Sequence, residues 1–583
     1  MTRAGAKLQA TFPRLAQAAT KTAVFVRGPR PKVDLADPRP LLDVDWTVRG
    51  RRYFVPIESM VMRRTQPFTK PWVFAIIVVA YIIGLAFLSK TQSFDTPADS
   101  FIGCTSSYWR RNDDCGLDGE GCGGVPDNST GPETFDYRCP AQCDNVILQN
   151  FRTVGNEQVA FVPLVVGGGD AEETYRGDSF ICAAAIQAGV ISSSKGGCFS
   201  LELVANHTNF APRNENGLAS LGFPTIFPLG FRFTGGSSIS NCEDIRNQVL
   251  AFNVIMSALL FFLFRPHGLA VFWSLVCIGF WHVTLFSQPR SSPPSLSFGF
   301  GTFLPTLFIC YAFWRLAFRF TLPVFLHKAP LEAAVWYLGP FWVGVLFNLT
   351  FDRIPISRLV ASDISQRAGG VASLVIMIIV LATCVITQVI VIRKTGWLPH
   401  YLKWYIIGGL VLMVLALLPN LQLRIHHYIF AMVFLPGTAF PTRLSAIFQG
   451  VLLGMFLNGA AAFGYDSILQ TAAELLRDAT LGSEIPEFLT TAANFNSTLP
   501  LIEQTLRWAP LPDNSTWDGF SLLVDDVERY VGPAMEFSLA LFDPLLPHFF
   551  RLALTSSGVS GDFTMPATLW PNGTWVDPLE GAT

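Results

Sequence analysis

Residues 71–88 have the sequence PWVFAIIVVAYIIGLAFL, a continuous apolar run without a charged residue. A helix of about 20 apolar residues is long enough to cross the hydrocarbon core of a bilayer. Lysines and arginines lie on the cytosolic side of membrane helices more often than on the other side. Six of them lie between residues 49 and 70, directly before this run: Arg49, Arg51, Arg52, Arg63, Arg64 and Lys70. The run therefore predicts a transmembrane helix whose N-terminal side lies in the cytosol.

Eight further apolar runs follow after a long polar stretch, and together they predict an all-α membrane bundle over 247–464. Their ranges are 247–264, 269–286, 302–320, 332–349, 370–392, 402–420, 427–441 and 444–464. The run 427–441 is short and contains Pro436-Gly437, so we expect a broken or re-entrant helix held inside the bundle. Nine crossings from a cytosolic N-terminus place the C-terminus outside the cytosol.

Composition excludes several other classes of protein. Half of the 583 residues are apolar and only 14% are charged, and the net charge is −2. A chain without a basic face is not expected to bind nucleic acid. Residues 1–70 are polar and basic, without the apolar core of a signal peptide. They predict a mostly disordered cytosolic arm, which either contacts anionic lipid headgroups or serves only to orient the first helix.

The cysteines fall into two groups along the chain. Eight of the eleven lie within 92–245, between the first two predicted spans. An even number in one polar stretch predicts up to four disulfides in an oxidising compartment. Zinc binding is the less favoured alternative, because this stretch has one histidine, His207, and no paired CxxC spacing. The other three lie in apolar runs and are expected to be core residues: Cys277, Cys310 and Cys384.

Two motifs in this region carry structural information. Residues 138–143, RCPAQC, predict a proline-led turn between two cysteines. Residues 178–191, DSFICAAAIQAGVI, predict a short alanine-rich helix that Asp178 or Ser179 caps and Gly189 ends. Flanking segments 158–166 and 198–204 are typical of strands packed around such a helix.

These motifs resemble the LCCL domain over roughly residues 100–205, including Tyr175 and the pair Gly196-Gly197. The resemblance implies a disulfide-rich α/β fold that binds a ligand outside the cytosol and has no catalytic residues. It also implies that Cys143 pairs with Cys182, and Cys139 with an earlier cysteine, for which Cys122 is the candidate. Gln187 stands where the family usually has histidine, so no role of that histidine is transferred. The chain as a whole is similar to the multipass LCCL membrane proteins of fungi, notably over 424–438 and 449–466.

The remaining segment, 466–583, predicts an external tail. Residues 466–495 are expected to form a helix. Proline and glycine then punctuate short strand-like runs, which favour a β-sandwich-like module of the fibronectin type III kind. The paired carboxylates Asp525-Asp526 are expected to form a solvated turn. The strand-like runs are 503–508, 520–524, 536–542 and 549–554, followed by a turn at 573–575.

Glycosylation sequons agree with this topology. Each lies on the predicted external side, which favours a glycoprotein. Asn348, at the outer end of the fifth span, is a sixth such site. The others are Asn128 and Asn206 in the first external domain, and Asn496, Asn514 and Asn572 in the tail.

Two catalytic or transport alternatives stay open. His282, His426 and His427, with Asp352 and Asp363, are candidates for an external metal site of a lipid hydrolase. Against this, adjacent histidines on a helix point about 100° apart. A transporter is disfavoured because the spans hold almost no ionisable or polar groups, and no acidic residue is available as an ion-coupling group.

Polar residues within the spans are few, and Asn458 is expected to form an interhelical hydrogen bond. Gly450-x-x-x-Gly454 has the spacing of close helix packing, within this bundle or between protomers of a homo-oligomer.

The preferred hypothesis is a polytopic protein of the plasma membrane or endomembrane system, with a cytosolic N-terminus. Its external LCCL-like domain would bind a glycan, lipid or protein, in a non-enzymatic receptor or scaffold role without a cofactor. The alternatives are a lumen-facing metal-dependent lipid hydrolase and a transporter.

Overall fold

The computed structural model describes residues 22, 24, 28–29, 31–48, 51–109, 134–356, 361–424, 426–477, 479–513 and 515–583. The chain forms two compact units. The first, here called the bundle, comprises Met1–Ser93 and Arg246–Gln470. The second, here called the head, comprises Phe94–Ile245 and Thr471–Thr583. The head thus unites two segments that the whole of Arg246–Gln470 separates in sequence.

From residue 44 onward, the α-helices are α1 Ile57–Thr65, α2 Pro71–Ser89, α3 Ile181–Gln187, α4 Arg246–Leu259, α5 Gly268–His282, α6 Leu296–Phe313, α7 Arg319–Lys328, α8 Pro330–Ala333, α9 Gly339–Val345, α10 Phe347–Thr350, α11 Ala361–Gln366, α12 Gly370–Lys394, α13 Leu398–Ala416, α14 His427–Phe434, α15 Arg443–Ala462 and α16 Ala472–Leu476. Short π-helical segments prolong several of them, at Lys90–Phe94, Leu260–Phe264, Val283–Ser287, Trp314–Phe318 and Ala334–Leu338.

The strands are β1 Val44–Val48, β2 Arg51–Val55, β3 Thr134–Cys139, β4 Arg152–Val154, β5 Glu157–Val159, β6 Tyr175–Arg176, β7 Gly197–Phe210, β8 Asn214–Glu215, β9 Leu218–Ala219, β10 Phe223–Gly235, β11 Gln422–Leu423, β12 Leu469–Gln470, β13 Thr505–Arg507, β14 Gly519–Val524, β15 Val527–Gly532, β16 Glu536–Ser538, β17 His548–Ser556, β18 Val559–Ser560, β19 Ala567–Leu569 and β20 Trp575–Val576.

Seven helices in the described part of the chain are long and apolar enough to cross a membrane. α2 and α13 are largely apolar, yet the protein buries none of their residues. Apolar surface of this extent is consistent with an integral membrane protein. The seven are Pro71–Phe94, Arg246–Phe264, Gly268–Ser287, Leu296–Lys328, Gly370–Lys394, Leu398–Ala416 and Arg443–Ala462.

The two other predicted spans, 332–349 and 427–441, are shorter helices. In place of the first, one continuous helix covers residues 330–345, and α10 follows it. In place of the second, α14 passes into a 3-10 turn over Leu435–Thr438, which confirms the predicted break at Pro436-Gly437. The nine predicted spans thus correspond to seven full-length helices and two shorter ones.

The prediction of a mostly disordered arm is wrong for residues 44–48 and 51–69. β1 and β2 pair as an antiparallel hairpin that places Trp46 opposite Tyr53, and α1 follows directly. Asp45 and Arg52 form an ion pair across the hairpin. The prediction failed because the many arginines give this segment a polar composition, although apolar residues alternate with polar ones along β1.

The arm also contacts four connections between helices of the bundle. The Glu58 carboxylate accepts hydrogen bonds from the backbone N–H groups of Leu331 and Glu332, at 3.1 and 3.2 Å. It therefore caps the N-terminus of α8, where N–H groups lack partners within the helix. The other contacts are Val33 N–H to the Thr395 carbonyl at 3.2 Å, Asp37 to Lys328 at 3.2 Å, Arg443 to the Arg39 carbonyl at 2.6 Å and Arg265 to the Met62 carbonyl at 3.0 Å.

A second set of contacts joins the opposite ends of the same helices. β11, which precedes α14, pairs with β12, which follows α15. Tyr428 donates from its hydroxyl to the Asp466 carbonyl at 2.8 Å. Two further hydrogen bonds complete the set, from Asn348 to Gln288 Oε1 at 2.9 Å and from Arg290 to the Phe463 carbonyl at 3.2 Å.

α15 packs backbone to backbone against α9 and the segment before it. A Cβ atom on Gly450 would lie 2.6 Å from the Tyr337 carbonyl oxygen, and one on Gly454 would lie 2.2 Å from that of Phe341. The glycine spacing therefore serves packing within this bundle. Asn458 donates to the Val345 carbonyl at 2.9 Å, which confirms the predicted interhelical hydrogen bond.

The first segment of the head is the predicted α/β fold. A four-stranded antiparallel sheet has the order β3-β7-β10-β6, and α3, all of whose residues are buried, belongs to the same core. Gly189, with φ of 74°, follows the end of the helix as predicted. The predicted cap is wrong, since Phe180 occupies the N-cap position without a side-chain hydrogen bond.

The second segment of the head is rich in strands. The larger sheet has the order β15-β14-β17-β19-β20, with β18 beside β17, while β13 pairs with β16. Both sheets contribute to one core, through side chains such as Leu506 and Leu552. The predicted helix over 466–495 is wrong except at α16, since β12 precedes that short helix. The chain turns at Arg477 and again at Gly482, which adopt positive φ angles of 56° and 80°.

Candidate functional site

Three disulfides join described residues of the head, but not in the expected arrangement. The bonds are Cys104–Cys143, Cys139–Cys182 and Cys198–Cys242. The pairing that the resemblance implied is wrong, because Cys182 is bonded to Cys139 rather than to Cys143. Cys122 lies outside the described residues.

Local geometry explains the exchange of partners. Cys139 is the last residue of β3, and its Cα atom lies 5.7 Å from that of Cys182 in the first turn of α3. The segment after Phe101 runs beside the end of β3, and the Ile102 N–H donates to the Arg138 carbonyl at 3.2 Å. This path brings Cys104 to Cys143, on the other side of the proline-led turn.

A buried charge cluster joins the two segments of the head. Arg176, in β6, is 1% exposed and donates two hydrogen bonds to Asp178, at 2.8 and 2.7 Å. Its remaining terminal nitrogen donates to Asp526 at 2.7 Å. The other oxygen of Asp526 accepts from Arg551 at 2.7 Å. Asp526 therefore lies between one arginine of the LCCL-like segment and one of the C-terminal segment.

A tight turn presents Asp526 to this cluster. Asp525 and Asp526 connect β14 to β15, and both adopt positive φ angles, 54° and 65°. This conformation is the one expected of two-residue hairpin turns, although asparagine and glycine usually occupy it. The predicted solvated turn is wrong, because both carboxylates are buried. The Gly155 N–H of the LCCL-like segment donates to Asp526 at 2.8 Å.

Electrostatics keep the cluster ionised despite burial. Burial alone would raise the pKa of Asp526, but the positive charges of Arg551 and Arg176 outweigh it and hold that pKa below its usual value. Burial likewise opposes the charge of Arg176, yet Asp178 and Asp526 raise the pKa of its guanidinium. Buried charges that are paired in this way are costly to separate.

Aromatic residues complete the junction. The Arg176 guanidinium lies 4.4 Å from the centre of the Phe223 ring and 4.7 Å from that of Phe227, which suits cation–π attraction. The Phe223 ring also contacts Phe549 of the C-terminal segment, with centroids 6.0 Å apart. Val527 and Phe549 belong to the same hydrophobic core as the LCCL-like segment. The two segments thus share a core as well as a charge cluster.

His548 lies behind this junction. It is buried, and its two ring nitrogens face oxygen atoms of Asp525 at 2.8 Å and of the Asp543 backbone at 2.9 Å. Burial would lower the pKa of His548, but the hydrogen bond to Asp525 raises it above the usual value. Both ring nitrogens are thus engaged within the C-terminal segment, and these partners give His548 a structural role.

The candidate metal residues have separate partners. His282 accepts from the Asn253 amide at 3.1 Å, and the His426 ring faces the Ser467 carbonyl at 3.3 Å. His427 meets the Phe347 ring edge to face, with ring centroids 4.8 Å apart. The side chain of Asp363 lies outside the described residues. Among the described residues, these histidines included, no group of three or more His, Cys, Asp or Glu could hold a metal ion.

Three of the predicted glycosylation sites are exposed on the head: Asn206, Asn496 and Asn572. Asn128 and Asn514 lie outside the described residues. Asn348 differs from these, because its amide nitrogen donates both to Gln288 and, at 3.1 Å, to Asn458.

The side chain at position 187 is not accessible to a ligand. The side chain is fully buried, and its amide nitrogen donates to the Arg213 and Leu218 carbonyls, at 3.0 and 3.1 Å. Gln187 therefore attaches α3 to the β8–β9 hairpin.

Sequence reasoning missed Arg176, Arg551 and the role of Asp526. One signal was available, since charged residues within otherwise apolar strand patterns require a buried partner. The sequence did not reveal that the partner of Arg176 is Asp526, because the two residues lie about 350 positions apart in the chain.

Comparison with known proteins places these observations in a family. The model of the LCCL domain matches residues 113–226. The uncharacterized protein YIL067C of Saccharomyces cerevisiae is 31% identical over 568 residues, which cover 88% of this chain and 81% of that protein. No solved structure matches the chain.

Proposed function

The chain belongs to the same family as the yeast protein YIL067C and contains an LCCL domain, and from this premise we propose a ligand-binding membrane protein. The LCCL domain and the C-terminal β-rich domain together form its external binding head. The bundle anchors the head in the membrane and connects it to the cytosolic arm. The role is that of a receptor or scaffold for a glycan, lipid or protein ligand.

The buried cluster of Arg176, Asp526 and Arg551 is the observation that carries this proposal. Removal of one partner from a buried ion pair strongly destabilises a protein, because the other charge stays buried without compensation. Separation of the two domains would break such a pair, so we expect them to stay together. A ligand therefore meets one composite surface rather than two modules on a flexible linker. Asp178 and Asp526 also neutralise the positive charges of Arg176 and Arg551. This pairing favours a structural role for these residues over a catalytic one.

The head also supports a specific topology. Its disulfides are typical of an oxidising compartment, the lumen or the cell exterior. Since both of its segments belong to one compact unit, the chain crosses the membrane an even number of times between Ile245 and Thr471. The six full-length helices after α2 satisfy this requirement. So do eight crossings, in which both shorter helices span the membrane as well.

Contacts within the bundle favour eight crossings there, and nine in all. The helix that begins at Pro330 starts beside Glu58 of the arm, whereas Asn348, in α10 just beyond its far end, contacts Gln288. The segment that begins at α14 starts beside Asp466, and the chain reaches the arm again at Arg443. Each shorter helix therefore leads from one set of end contacts to the other.

Binding measurements on the full chain in lipid nanodiscs test the proposal. Arrays of glycans, lipids and secreted proteins should yield a saturable ligand whose binding survives His282→Ala and His427→Ala. An Arg176→Met variant should weaken that binding, because it loosens the head. Glu536→Gln, which removes an exposed ion pair elsewhere in the head, is the matched control. Lipid hydrolysis that depends on these histidines, or solute transport by the reconstituted chain, would refute the proposal.

A further inference from the structure

The hairpin of the arm has an exposed aromatic surface. Trp46 and Tyr53 form a cross-strand pair on one of its faces, and they are 50% and 47% exposed. Met60 of α1 and Phe68 immediately before α2 are also exposed, while Phe54 is exposed on the opposite face of the hairpin. A two-stranded hairpin is only marginally stable in water unless another surface covers it. This hairpin therefore needs a partner for its aromatic face.

The same segment is strongly basic. Residues 44–70 contain six lysines and arginines but only two acidic residues. Both acidic residues are engaged, since Asp45 pairs with Arg52 and Glu58 caps α8. Arg63, Arg64 and Lys70 are exposed along the path from the hairpin to α2. The aromatic face and these positive charges therefore occupy one continuous segment.

We infer that β1, β2 and α1 form an interfacial platform that binds the anionic headgroups of the bilayer α2 crosses. Tryptophan and tyrosine prefer the boundary between headgroups and acyl chains. Lysine and arginine next to a membrane helix attract anionic lipids. The platform continues directly into α2 through Phe68 and Lys70, so the lipid surface is the nearest partner available to it. The inference rests on α2 being a membrane span and not on the ligand of the head.

Hydrogen exchange of the full chain in nanodiscs tests this surface. Peptides from residues 44–55 should exchange more slowly in discs with about 30% phosphatidylserine than in phosphatidylcholine discs. Salt at about 1 M should remove the difference. Each basic residue near an anionic surface contributes about a five-fold factor, so Arg63→Gln with Arg64→Gln should reduce the slowing roughly 25-fold. Arg507→Gln, an exposed arginine of the head, should leave it unchanged.

Crosslinking separates lipid from other partners. A photoreactive benzoylphenylalanine at position 46 should form adducts with lipid, whereas the same group at Thr47, on the opposite face of the hairpin, should not. Equal exchange in both kinds of disc would overturn the inference. So would protein adducts at position 46, or equal slowing by inorganic phosphate in neutral discs. If α2 itself exchanged freely in the discs, the membrane assignment would fail as well.

Discussion

Replacement of Asp526 by asparagine should destabilise the head by about 3–5 kcal/mol, because it leaves two buried guanidinium groups without their shared carboxylate. Arg176 and Asp526 are 1% and 7% exposed, so solvent cannot compensate for the loss. Arg551, at 12% exposed, is only slightly more accessible. The asparagine side chain has nearly the same volume, so the cost reflects charge rather than a cavity.

Pulse proteolysis of the full chain in detergent measures this cost. Digestion of a C-terminal tag reports unfolding of the tail at each urea concentration. With a slope of about 2 kcal/mol per molar urea, the midpoint should fall by about 1.5–2.5 M. Arg176→Met, on the LCCL side, should also lower the midpoint of the tail, since the two domains share the cluster.

The control for this series is Glu536→Gln, which removes an exposed ion pair with Arg507. Exposed pairs contribute little, so its midpoint should stay within about 0.5 M of the unmodified chain. If Asp526→Asn behaved like this control, the junction would not be a stabilising buried charge cluster. If Arg176→Met left the tail unaffected, the two domains would be independent.

Three further predictions concern single features. His548 has a raised pKa, so its stabilising effect is present below about pH 6.5 and is lost as the pH rises through the raised pKa; tail midpoints should fall over this range, and His548→Gln should flatten the trend. A chain that keeps Asn348 as its only sequon should show no glycosidase shift, because that amide nitrogen donates to Gln288 and Asn458; a shift would contradict this network. Non-reduced peptide mapping should recover Cys104–Cys143, Cys139–Cys182 and Cys198–Cys242, and a Cys143–Cys182 peptide would refute the first two bonds.

The elements that depend on residues close together in sequence could be predicted. Apolar runs located the helices, because a membrane-length run has few alternative explanations. The cysteine turn and the alanine-rich helix were likewise visible, since both depend on residues close together in sequence. Strand runs such as 520–524 and 549–554 also overlap β14 and β17.

Long-range partners were not predictable. Order along the chain does not decide whether Cys139 or Cys143 faces α3, because the turn between them redirects the backbone. Asp525-Asp526 has the composition of a surface turn, and only the fold brings Arg176 to it. β15 was missed for a related reason, since its alternation of apolar and charged residues is short and directly follows that turn.

The most direct test of the account is the side of the membrane on which the tail lies. Sealed microsomes that contain the full chain, tagged at both ends, would be treated with protease from the cytosolic side. A chain that keeps Asn572 as its only sequon would be treated with glycosidase in parallel. With a cytosolic arm and an external tail, we expect loss of the N-terminal tag, protection of the C-terminal tag and a glycan at Asn572. Digestion of the C-terminal tag without detergent would contradict a head that unites the LCCL domain with the tail.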